Sequence, residues 1–155
     1  MLDELGQKII KELQEDARQS FREIGRKLEV SEGTVRNRVK GLVKNNTMKI
    51  SAIPNPEQLG FNFMCIMCIE VKVGSAERVE QLLIKSPNVY FICGCTGTYD
   101  IIGIFVFHTP KEFDEFVKNV IANIPEIVRT STFVAMHISR SPWEHNLDVT
   151  ELCKL

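Results

Sequence analysis

Ser20 and Ser31 each stand at the head of a short run of apolar residues at helical spacing, with only a Glu29-Val30 turn between the two runs. Ser20 followed by Glu23 has the capping-box spacing, in which the hydroxyl accepts from the third helical amide and the carboxylate reaches back to the cap amide. Phe21, Ile24 and Leu28 then form a buried stripe, and after Ser31 the residues Val35, Val39, Leu42 and Val43 give a second inner face. Ahead of both, Leu5, Ile9, Ile10 and Leu13 follow the cap residue Asp3 and predict an amphipathic helix over 3–15, ended by Glu15-Asp16. Three short helices, the last two joined by a tight turn, restrict this third of the chain to a helix-turn-helix.

With its apolar residues inward, the third helix turns Glu32, Gly33, Thr34, Arg36, Asn37, Arg38 and Lys40 outward or to the flanks, with Lys44 one turn further on. Residues 17–50 carry nine Lys/Arg against Glu23, Glu29 and Glu32, a local net of +6 in a chain of formal net charge -1, which leaves -7 elsewhere. A positive patch on an otherwise acidic chain, placed on a helix-turn-helix, points to double-stranded DNA. The N-terminal turn of such a helix enters the major groove, where Arg36 and Asn37 can bond guanine or adenine edges bidentately. Arg38, Lys40 and Lys44 are placed for phosphates.

The bulk composition narrows the class. A chain of 155 residues with 44% hydrophobic and 25% charged content can bury a real core, as one domain or two small ones. No apolar run approaches the roughly 18 residues of a membrane span. The acidic Met-Leu-Asp-Glu start is unlike a signal peptide, so a cytoplasmic protein is expected. Cys65, Cys68, Cys93 and Cys95 lie in apolar runs, and the fifth cysteine makes the count odd, which suits buried thiols in a reducing compartment.

Met48, Ile50 and Ile53 with polar residues between them predict a short strand, and Pro54-Asn55-Pro56 then forbids regular structure. This divides the chain into a DNA-binding domain at 1–51, a connector at 52–60, a second domain at 61–139 and a tail at 140–155. Beyond Gly60 strand-like and helical runs alternate: strand 63–73, helix 76–85, strand 89–96, strand 101–107, helix 110–124 and strand 128–138. The order β-α-β-β-α-β predicts an α+β, ferredoxin-like sandwich with both helices on one face of an antiparallel sheet. Ile101 to Phe107 is nevertheless apolar at both parities, so the uncovered face is expected to meet a second copy in a homodimer.

A helix-turn-helix, the connector Asn55-Pro56-Glu57-Gln58-Leu59-Gly60-Phe61, a βαββαβ module and Gly97-Thr98-Tyr99-Asp100 between its middle strands together resemble the Lrp/AsnC (feast/famine, leucine-responsive) family of transcription regulators over residues 2–138. Leu2-Asp3 with Ile9, Ser31 with Val35, Arg38 and Val39, and Glu126 to Thr132 also match. The resemblance implies a winged-helix-like N-terminal domain, dimers through the C-terminal domain assembling to tetramers or octamers, and an amino-acid effector bound between dimers. It extends the DNA-contact set of Gly33, Thr34, Arg36, Asn37, Arg38 and Lys40 to Ser31 and to Arg22 on the second helix. It also implies an effector pocket around Gly97, Thr98, Tyr99 and Asp100, faced by Thr130, Ser131 and Thr132. There Asp100 can accept from an α-ammonium and amides near Gly97 can donate to a carboxylate; the bland alternative is a turn in which Gly97 supplies positive φ and Asp100 bonds loop amides. Asn46-Thr47-Met48 departs from the family pattern, and the tail with Trp143 and Cys153 runs past it.

Other chemistries have weaker footing. Cys65 and Cys68 differ by an odd number and point to opposite faces of a strand, which argues against zinc. His108, His137 and His145 stand far apart, and there is no Walker or dinucleotide glycine loop, so neither cofactor nor enzymatic activity is expected. Two alternatives remain: a sirohaem-decarboxylase-like enzyme drawing on His108, His137, Arg129 and Arg140, and a ligand-independent architectural DNA-binding protein.

Overall fold

The computed structural model describes residues 2–139. The expectations for the tail, with Arg140, Trp143, His145 and Cys153, lie outside the described residues. The described residues form two compact units, 2–53 and 54–139.

The first unit holds helices α1 (Glu4–Glu15), α2 (Phe21–Lys27) and α3 (Glu32–Lys44). Each is capped by the residue its sequence announces. Asp3 accepts from the Gly6 amide at 3.0 Å, and Ser31 Oγ from the Thr34 amide at 3.0 Å. Ser20 and Glu23 make both halves of the capping box, at 3.2 and 2.9 Å. Ile9, Leu13, Ile24, Val35 and Val39 form the core, each contributing about 1.5–3 kcal/mol for burial. Val43 departs from expectation at 44% exposed, since one residue past Leu42 swings it about 100° off the inner stripe.

Four residues, Leu28 to Ser31, separate α2 from α3. Glu29 takes a left-handed conformation, φ 57°, and the Val30 amide donates to the Gly25 carbonyl at 2.9 Å, the helix-ending bond of a Schellman turn. A Cβ on Gly25 would lie 2.7 Å from the Val30 carbonyl oxygen, so only glycine lets α2 pass this close to the start of α3.

The strand expected around Met48–Ile53 does not form. α3 ends with Asn46 at φ 54°, and the Thr47 and Met48 amides both donate to the Leu42 carbonyl. Met48 then packs on the helical core while Ile50 and Ile53 stay exposed, and a strand with no neighbour has nothing to pair with. Pro54-Asn55-Pro56 holds no helix or strand, as expected. Asn55 Oδ1 accepts from the Glu57 amide at 3.0 Å and starts a single 3-10 turn, Glu57–Leu59, which Gly60 closes at φ 87°.

The second unit runs β1 (Phe63–Val71), α4 (Ala76–Leu83), β2 (Val89–Gly94), β3 (Ile101–Phe107), α5 (Pro110–Asn119) and β4 (Ile127–Val134). The strands are ordered β2-β3-β1-β4, every neighbouring pair antiparallel. α5 is shorter than its apolar pattern suggests, giving way to a 3-10 turn at Ile121–Asn123, and β4 stops four residues short of Ile138. Cys65, Met67, Ile69 and Val71 of β1 and Ile101, Phe105 and Phe107 of β3 face the helices and pack with Val79, Leu83 and Phe116. The Phe105 ring lies over Gly103, where a Cβ would come within 2.5 Å of it.

The tight α2–α3 turn generates a test. Gly25→Ala should lower stability by about 1–3 kcal/mol through overpacking against backbone, while Glu29→Gly should raise it by about 0.5–1 kcal/mol by relieving the left-handed strain. Urea titration followed by circular dichroism reads both signs.

Candidate nucleic-acid interface and effector loop

Val35, Val39 and Leu42 turn inward, which leaves Gly33, Asn37, Lys40 and Lys44 as the opposite stripe of α3. All four are exposed, as are Ser31, Thr34, Arg36 and Arg38, and Arg22 on α2. The stripe's flanks are electrostatically closed. Arg36 is paired with Glu32 one turn earlier, and Arg38 reaches across to Asp3, the cap of α1, at 2.6 Å. Arg22, Lys40 and Lys44 have no ion-pair partner among the described residues. The Ser31 and Thr34 hydroxyls lie 2.8 Å apart within the α3 cap. The sequence-predicted DNA residues are therefore all exposed but differ in readiness: the lysines and Asn37 stand open, while both arginines of α3 are held by carboxylates. Asp3 escaped sequence reasoning as part of this surface, because nothing in the linear pattern brings it to Arg38.

The Gly97–Asp100 loop connects β2 to β3. Gly97 has φ 128°, a conformation that favours glycine. The loop closes through the Cys95 amide to the Asp100 carbonyl, 2.8 Å, and the Cys95 thiol to the Tyr99 carbonyl, 3.2 Å. Asp100 anchors it to β1: its amide donates to Ile69, 3.0 Å, and its Oδ2 accepts from the Val71 amide, 2.8 Å, beside the register shift between Glu70 and Val71. One carboxylate oxygen of Asp100 is thus committed to backbone. Arg129 lies 5.5 Å from the centre of the Tyr99 ring and is paired with Glu70 at 3.0 Å. Thr130 and Thr132, opposite Ile69 and Met67, face the helix side, whereas Ser131, opposite Cys68, faces the other. The three-residue segment therefore cannot face one pocket as a unit, as strand alternation requires. Ser131 shares its face with Glu70 and Arg129, the pair beside Tyr99.

The face of the sheet away from the helices carries a row that crosses all four strands: Phe91, Ile104, Ile66 and Phe133. Phe91 is 50% and Phe133 58% exposed. Beside it run Cys93, Ile102, Cys68 and Ser131. Cys65 belongs to the opposite, helix-covered side, where burial pushes its thiol up to about 11 and keeps it a protonated apolar side chain. β3 lies between the strands of Cys68 and Cys93. Among the described residues no three His, Cys, Asp or Glu side chains converge as metal ligands.

His108 follows β3, stacked on Phe61 at 4.3 Å and bonded to Glu112 at 3.0 Å. Its neighbour Phe107 pairs with Phe63 at one end of β1, while Arg129 pairs with Glu70 at the other, about 23 Å away by strand rise. Of the donors considered for a tetrapyrrole, His108 and Arg129 therefore lie at opposite ends of the sheet.

Comparison with known proteins agrees with this architecture. An AsnC-type helix-turn-helix domain model matches residues 2–43, and an Lrp/AsnC ligand binding domain model matches residues 64–143. An uncharacterised HTH-type transcriptional regulator of Pyrococcus abyssi is 35% identical over 143 residues, covering 89% of this chain and 94% of the relative. Among solved structures, Escherichia coli AsnC superposes with a TM-score of 0.88 at 22% identity, covering 96% of this chain and 99% of that one. A Neisseria meningitidis transcriptional regulator, solved as a complex with L-Met, superposes at 0.83 and 19% identity over 91% of this chain and 94% of its own. With both domain models in the expected order and a relative aligned along nearly its whole length, the chain belongs to the Lrp/AsnC family of transcriptional regulators.

Proposed function

We propose that this regulator binds operator DNA as an oligomer, reads sequence with the Gly33-Asn37-Lys40-Lys44 stripe of α3, and responds to an amino acid or related small effector. The observation that carries the reading is the stripe itself: an exposed amide flanked by lysines without an ion-pair partner among the described residues, on the second helix of a capped helix-turn-helix. Asn37 has the two-sided amide that matches adenine in the major groove, and Lys40, Lys44 and Arg22 supply phosphate contacts. Gly33 leaves the start of the helix without a side chain where a groove edge would approach. The protein acts as a switch rather than an enzyme, in the cytoplasm, where its free cysteines stay reduced.

The apolar row Phe91-Ile104-Ile66-Phe133 supports a homodimer that packs sheet face on sheet face, since a contiguous apolar face of this kind is rarely left to water. Such a dimer brings two copies of α3 to one DNA molecule, and its further association into tetramers or octamers extends the number of half-sites. The effector reading rests on the Gly97–Asp100 loop with Arg129 and Glu70 beside it, and is supported by the L-Met complex of the Neisseria protein. An α-amino acid needs an acceptor for its ammonium and donors for its carboxylate. The remaining oxygen of Asp100 and Glu70 provide the first, Arg129 and the loop amides the second.

Each part has its own readout. Asn37→Ala should cost about 1–3 kcal/mol at one operator position and relax preference there, whereas Lys44→Ala should weaken all duplexes and reduce the salt slope by about one; fluorescence anisotropy against salt separates the two. Phe133→Glu should shift the protein to monomer in analytical ultracentrifugation with its circular dichroism preserved, and an unchanged oligomer would place the interface elsewhere. Asp100→Ala should remove any thermal-shift response to amino acids and also lower stability by about 1–3 kcal/mol through the orphaned Val71 amide. Asp100→Asn keeps an acceptor for that amide, so it should recover the stability while still lacking the response.

A further inference from the structure

The Asp3–Arg38 pair is the one contact that ties an acid at the start of α1 to the edge of the DNA-reading helix. Asp3 does two jobs with two oxygens: Oδ1 caps α1 through the Gly6 amide, and Oδ2 holds Arg38. Gly6 makes room for this, because a Cβ there would stand 2.9 Å from Oδ1 and 2.7 Å from Leu2. Both partners are about half exposed, and they line a cleft of about 440 Å³ with Gly6, Asn37, Gly41 and Thr47. Arg38 is therefore within reach of an incoming phosphate, but only in exchange for a carboxylate it already holds.

We infer that Asp3 sets the DNA affinity of α3: it is a built-in competitor that withholds Arg38 from phosphate contact. Non-specific binding draws on whichever cations are free, so a guanidinium already neutralised within its own domain adds little to it. A bound operator, with α3 seated and a phosphate fixed against the cleft, offers Arg38 a charge-assisted bidentate partner that displaces Asp3. An exposed ion pair shifts such an exchange by up to about fivefold, enough to temper random and cognate binding alike without blocking either. The inference rests on α3 being the reading helix.

The test measures affinity and salt slope of the full-length protein on a mixed-sequence duplex and on a duplex enriched by in vitro selection. Asp3→Ser keeps a good cap and removes the charge. Glu4→Gln, which removes a neighbouring charge paired only with Lys8, reports the generic gain from one less acid. Asp3→Ser should tighten mixed-sequence binding about fivefold and steepen the slope by about 0.9, well beyond Glu4→Gln, and should tighten the selected duplex at least as much. In an Arg38→Ala background its effect should fall to that of Glu4→Gln. Asp3→Asn, an equally good cap, should repeat the result should the serine variant melt early. Equal effects of Asp3→Ser and Glu4→Gln, or weaker binding by Asp3→Ser, overturn the inference while Lys44→Ala still weakens binding. If Lys44→Ala has no effect, the reading of α3 itself falls and the inference with it.

Discussion

A four-stranded sheet has two faces, and this chain supplies helices for one of them. α4 and α5 seal Cys65, Met67, Ile69, Ile101, Phe105 and Phe107 into a core, while the same strands present Ile66, Ile102 and Ile104 to the other side with Phe91 and Phe133 at the edges. Alternation in a strand cannot hide both parities behind one helical layer. Among the described residues no further element lies over that face, so it is left to water or shared with another molecule, and covering it is favoured by the apolar area removed from water. The sheet-to-sheet dimer we propose follows from that constraint, and so does the pairing of reading helices.

Electrostatics in the first unit works by distribution rather than total. Arg36 and Arg38, the two arginines nearest the stripe proposed to read DNA, are each answered by an acid, which leaves Asn37 with Lys40, Lys44 and Arg22 as the surface we propose meets DNA first. A fully open cluster of cations would bind any duplex. Holding part of the charge in reserve lets shape and base contacts decide more of the affinity.

The helix-turn-helix was legible residue by residue because its determinants are local: Asp3, Ser20 with Glu23, and Ser31 are caps whose partners sit within one turn. The order of the C-terminal elements was equally legible from periodicity. What the pattern could not carry was anything set across the fold. The apolar alternation at Met48, Ile50 and Ile53 looks like a strand, yet among the described residues of that unit no second strand lies there to pair with it. Thr130-Ser131-Thr132 reads as one polar patch until pairing with β1 sends its members to opposite faces. Asp100 looked like a ligand acceptor, and the Val71 amide that claims one of its oxygens lies 29 residues away. Glu70 and Arg129 become neighbours of Tyr99 only once β1 and β4 are side by side.

The central claim is that paired copies of α3, held by the C-terminal sheets, read DNA together. Hydroxyl-radical cleavage of a duplex selected from a random library by the full-length protein tests it most directly. The account predicts two protected clusters related by symmetry and centred about one helical turn, roughly 10 base pairs, apart, each strand protected in both. A single isolated cluster on the selected duplex, or even protection along its whole length, would contradict it.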